Sequence, residues 1–127
     1  MNTHERRTIK LAMKYGAQKA GLRDLYGEIN KLRAIAGRAK PDREGMYSIM
    51  KAARGLLNIV QNIPEDKRRG WVRAIKDSVE SIQRYGQLGF SILRKRPETD
   101  ISGILKSMRE HVTDMFRHVD RARQNQL

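Results

Sequence analysis

The sequence predicts an all-α protein: a bundle of three to four helices with a long basic N-terminal helical arm. Three observations predict it. Apolar residues recur at steps of three and four through most of the 127 residues. No segment shows the strict alternation of a half-buried strand, and no internal repeat of about 20 to 50 residues is visible. Residues 1–40 are assigned to the arm and 41–127 to the bundle, within a single domain overall.

The first helical region starts near Thr3, a good N-cap, and ends before Pro41. Leu22, Leu25, Ile29, Leu32 and Ala36, with Leu11 upstream, share one side at about 100° per residue, and Ile35 lies out on its flank. Met46, Ile49, Met50, Ala53, Leu56, Leu57 and Val60 form the second helix, stopped around "QNIPED". Pro64 with Glu65 and Asp66 starts the third, since proline suits a first turn and acids suit the positive end of the helix dipole. That helix runs through Val72, Ile75, Val79 and Ile82. "RYGQLGF" is expected to break it at Gly86 and Gly89, leaving a short helical piece with Phe90, Ile92 and Leu93. The last stripe comprises Ile101, Ile104, Leu105, Met108, Val112, Met115, Val119 and Ala122, with Asp100 or Thr99 as cap.

The arm contains glycine at 16, 21, 27 and 37, although each interior glycine costs a helix about 0.5–1 kcal/mol relative to alanine. Read by face, Ala12, Gly16, Ala20, Gly27 and Ala34 form a nearly bare strip opposite the leucine-rich stripe. Ile9 falls on this side too, as a fault in the pattern. Gly21 and Gly37 lie off the strip and are candidates for bends. Two readings stay open for Gly16, Ala20 and Gly27: close backbone approach to a charged partner, and close helix–helix packing.

There are 27 basic and 14 acidic side chains, a net +13 that points to a polyanionic partner. Residues 1–43 hold 11 basic and 4 acidic groups, 44–96 hold 11 and 5, and 97–127 hold 5 of each. The excess therefore lies upstream of Pro97. Along the arm stand Arg6, Arg7, Lys10, Lys14, Lys19, Arg23, Lys31 and Arg38. Lys67, Arg68, Arg69 and Arg73 open the third helix, and Arg94, Lys95 and Arg96 follow it. Any one cluster alone would usually be a solvated face, but three with so few acids nearby favour phosphate contacts. A helix-turn-helix can be drawn around "NIPEDK", yet the turn is not diagnostic, and sequence-independent binding is expected.

Tyr15, Tyr26, Tyr47, Tyr85, Trp71, Phe90 and Phe116 are scattered along the chain rather than arranged as a stacking platform. Duplex is therefore expected over single strand, and Trp71 and Phe116 read as core or interface anchors.

The absence of cysteine excludes disulfides, a thiol nucleophile and cysteine-ligated zinc. The N-terminus has no secretory signal core and no run of about 18 apolar residues occurs, so the chain reads as soluble and intracellular, or as packed into a particle. A basic amphipathic arm could lie on an anionic membrane, but it lacks anchoring tryptophan or phenylalanine, and this ranks below nucleic acid. His111 and His118 with Asp114 between them are a weak metal signal; no metal or other cofactor is expected. HExxH, GxxxxGK[ST], GxSxG and dinucleotide fingerprints are all missing, and no enzyme is expected.

A basic helical arm from Thr3 to about Lys40, followed by a compact bundle, resembles the major coat proteins of filamentous archaeal viruses with linear double-stranded DNA. The resemblance lies in architecture, size and charge layout and rests on no diagnostic motif. The arm cations named above, with Gly16, Ala20 and Gly27, match its pattern. It implies arms that encase a duplex held in A-form, under an outer shell of bundles stacked helically as dimers with themselves or a related subunit. It also implies residence in the virion, and in host cytoplasm before assembly. Lys67 to Arg73 depart from this pattern by lying in the bundle. The alternative is a dimeric DNA-binding regulatory or accessory protein of a phage or plasmid. A third reading is an interaction module that docks a basic surface on an acidic protein.

Overall fold

The computed structural model describes residues 22–61 and 70–126, with side chains through Gln124. All regular structure among these residues is helical: α1 over 22–38, α2 Arg43–Gln61, α3 Gly70–Lys95 and α4 Ser102–Gln126. The expected start at Thr3 and the "PED" start of the third helix lie outside the described residues.

In α1, Leu22, Leu25, Ile29, Leu32 and Ala36 are all buried. Full burial of one such aliphatic side chain is worth about 1.5–3 kcal/mol, which outweighs the propensity lost at Gly27 and Gly37. This half of the expected arm is therefore a bundle helix that shares one core with residues 46–122. Gly37, a candidate bend, sits inside α1, and no described glycine has a positive φ.

α1 ends just before Pro41, which cannot donate to continue it. Its free carbonyls are closed from α4: the Arg109 guanidinium donates to the carbonyls of Ala36 and Ala39, each at 2.7 Å. Asp42 then caps α2. Its carbonyl accepts from Met46 N–H at 3.1 Å, and its carboxylate from Gly45 N–H at 2.7 Å. The turn folds back so tightly that a Cβ on Gly45 would run into the Lys40 carbonyl.

α3 is one continuous helix of 26 residues, which corrects the expected break at "RYGQLGF". Gly86 and Gly89 do not interrupt it because both are buried against α2, where Met50 and Met46 occupy the space that Cβ atoms would need. Gln83 ties the same pair of helices: its amide donates to the Met50 carbonyl at 2.8 Å and accepts from Arg54 at 3.2 Å.

Between α3 and α4, Thr99 N–H and hydroxyl both donate to the Arg96 carbonyl, at 3.1 and 2.8 Å, closing α3. Of the two candidate caps, Asp100 opens α4, its carboxylate accepting from Ser102 N–H at 2.9 Å and Ser102 hydroxyl at 2.5 Å. Those hydrogen bonds hold the Asp100 carboxyl below its usual pKa. Ile101, Leu105, Met108, Val112, Met115, Val119 and Ala122 fill the core, while Ile104 packs at its edge.

The helices alternate in direction. Met50 lies on Gly86, Met46 on Gly89, and Tyr85 on His111, while α1 meets α4 from Ala36 at Arg109 to Tyr26 at Arg123. Along that last seam Phe116 stacks on Tyr26 with centroids 6.0 Å apart; Arg33 covers Phe116 at 3.8 Å and Arg123 covers Tyr26 at 4.0 Å. Phe116 is thus an anchor between α1 and α4, and Trp71 packs at the edge of the core.

Candidate nucleic-acid interface

Up-and-down topology sorts the cations by bundle end. α1 and α3 finish, and α2 and α4 begin, at the same end. Arg38, Lys40, Arg43, Arg94, Lys95 and Arg96 are therefore collected there, all exposed. Arg94 and Lys95 occupy the last turn of α3, where cations also favour the negative end of the helix dipole. Arg38 Nε donates to the Ala34 carbonyl at 3.3 Å, the equivalent position on α1. Two of the nearest acids are engaged as caps, Asp42 and Asp100; Glu44 and Glu98 are the others in this region.

Arg73 stands at the opposite end of α3. At 1.5 Å per residue it is about 30 Å from Arg94, so Arg73 does not join the cations at the other end. Arg23 is exposed near the start of described α1. Lys31 is exposed and paired with Glu28, three residues earlier on the same helix, at 3.1 Å. Arg6, Arg7, Lys10, Lys14, Lys19, Lys67, Arg68 and Arg69 lie outside the described residues, as do Gly16 and Ala20. Gly27 and Ala34 are exposed, and no described atom lies within 4 Å of a Cβ built on Gly27. No helix of the described bundle covers that part of the bare strip.

The four ion pairs among the described residues join neighbours three or four apart on one helix. Their distances run from 3.1 to 4.0 Å and their side chains are largely solvated, so they contribute little to stability. None of them involves the six cations at the shared bundle end.

A stripe absent from the sequence-based candidates runs along exposed α2. Arg43, Tyr47, Lys51 and Arg54 fall within about 80° of its circumference at 100° per residue. Their spacing was readable in the sequence. Their relation to α3 was not: Tyr47 and Phe90, with Arg43, Glu44 and Arg94, line one open groove of about 420 Å³ between the two helices. Arg43 and Arg94 also line the adjoining groove at the bundle end. Tyr47 is 57% exposed, and Leu88 at 50% is the other large hydrophobic side chain exposed among the described residues.

The histidines do not gather with acids: among the described residues no group of three or more metal-capable side chains comes together. His111 instead rests against Tyr85, with ring centroids 5.7 Å apart. No helix among these residues is long and apolar enough to cross a membrane.

Compared with known proteins, the chain matches no family model, no curated protein and no solved structure.

Proposed function

We propose that this chain is a structural nucleoprotein, a viral coat subunit that binds double-stranded DNA non-specifically through phosphates and assembles along it into a helical filament. One observation carries the reading. The bundle turns its apolar stripes inward and carries six exposed cations at one end, with none of the ion pairs among the described residues engaging them. The α2 stripe extends this basic surface, Arg73 stands apart from it at the other end of α3, and the N-terminal cations Arg6, Arg7, Lys10, Lys14 and Lys19 add to the positive charge in sequence.

Such a surface suits a rod of phosphates better than a small ligand, because its charges are spread over tens of ångströms. If the net +13 neutralises about 13 phosphates, each chain covers about six base pairs and a dimer about one duplex turn.

Electron microscopy of the protein mixed with long duplex DNA tests the proposal. Regular filaments with a fixed number of base pairs per subunit are expected. Isolated dimers bound at one preferred sequence would replace it with the regulator reading. No affinity for DNA or RNA at low salt would leave the acidic-protein partner.

A further inference from the structure

The groove between α2 and α3 joins two features that the phosphate reading does not need together. Arg43 and Arg94 come from different helices yet line the same two grooves, and no ion pair among the described residues neutralises either. Two guanidinium groups on the lining of one groove offer paired donors to a phosphate. Beside them the lining is aromatic, with Tyr47 more than half exposed and Phe90 half-buried against the core. An exposed ring on a rigid helix is a surface for another flat ring. Glu44 is the single acid on this lining among the described residues and discourages a second phosphate from following the first.

We propose that this groove takes one unpaired nucleotide, its phosphate held by Arg43 and Arg94 and its base stacked on Tyr47. The inference rests on the nucleic-acid reading above and adds to it a site for a base outside the duplex, at an end, gap or bulge. Phosphate contacts alone would need no ring. A purely apolar ligand would leave the two arginines uncompensated.

The test is fluorescence anisotropy of the full chain with three duplexes of equal length at fixed salt: one blunt, one with a single-nucleotide 3′ overhang, and one whose overhang is abasic. Stacking of one base predicts tighter binding of the nucleotide overhang by about 5- to 150-fold over the blunt duplex, with the abasic form close to blunt. Tyr47→Ala should remove that preference, and Tyr47→Phe should keep it. Arg43→Gln with Arg94→Gln should remove it too. Circular dichroism should show an unchanged fold for Tyr47→Ala, whose ring is mostly in solvent.

Equal binding of all three duplexes by the wild-type chain would overturn this site alone, as would a preference that survives Tyr47→Ala or is matched by the abasic overhang. Binding of none of them would overturn the nucleic-acid reading itself. Tyr47-dependent capture of an acidic tryptophan-containing peptide, with no overhang preference, would reassign the groove to a protein partner.

Discussion

At the scale of single residues, the glycines separate into two groups with opposite expected effects. A Cβ on Gly27 or Gly55 meets nothing within 4 Å, so Gly27→Ala and Gly55→Ala should each stabilise the protein by about 0.5–1 kcal/mol. A Cβ on Gly86 would press on Met50 Cγ and Sδ, in the middle of that side chain, inside a packed seam. Gly86→Ala should therefore destabilise by about 1–3 kcal/mol despite its gain in propensity. Gly45→Ala should cost at least as much, because it meets backbone that cannot rotate away. Denaturant melts of the four variants would test this order, and a stabilised Gly86→Ala would contradict the account of why α3 is unbroken. In the sequence all these positions look alike. "RYGQLGF" reads as a break because periodicity counts missing side chains without showing that methionines from α2 replace them.

Elements are held at their ends as much as along their faces. Arg109 reaches across 70 and 73 positions of chain to close α1, and its guanidinium makes two short hydrogen bonds to carbonyls there. Arg109→Met keeps much of the stem and removes both bonds, so it should cost about 1.5–3 kcal/mol. Amide exchange should accelerate in the last turn of α1 more than in α2 or α3. Uniform acceleration would mean that Arg109 acts through general packing instead. Asp100 opens α4 differently, by accepting from Ser102. Its folded-state pKa lies below the unfolded value of about 3.9. The resulting stabilisation is present above that unfolded value and is lost as pH falls through the lower folded one. Asp100→Asn should lower the neutral plateau of a stability–pH profile and flatten this part of its acid limb, with the two proteins converging at low pH. Asp100 was a candidate cap from its place before an apolar stripe, whereas Arg109 carried no local signal, because its partners are distant in sequence.

At the scale of the whole molecule, antiparallel helices turn a linear charge pattern into a spatial one. Arg94, Lys95 and Arg96 join Arg38, Lys40 and Arg43 at one end, while Arg73 is about 30 Å away along α3. Replacing Arg94, Lys95 and Arg96 together by glutamine should weaken duplex binding for every sequence alike and reduce the slope of log affinity against log salt by about three. The parent protein should lose about a thousandfold or more in affinity between about 50 and 200 mM salt if six or more phosphates are contacted. A salt-independent affinity would contradict the phosphate reading at its base.

The sequence by itself determined the helical class, the apolar stripes of all four described helices, and the excess of positive charge. These follow from local periodicity and from composition, which need no knowledge of neighbours. Only the tertiary structure decided that residues 22–38 belong to the bundle core, that α3 runs through Gly86 and Gly89, and that Tyr47 and Phe90 share a groove with Arg43 and Arg94. Each depends on which side chain of one helix meets which of another. That pairing is set by packing between segments far apart in sequence, and no local pattern encodes it.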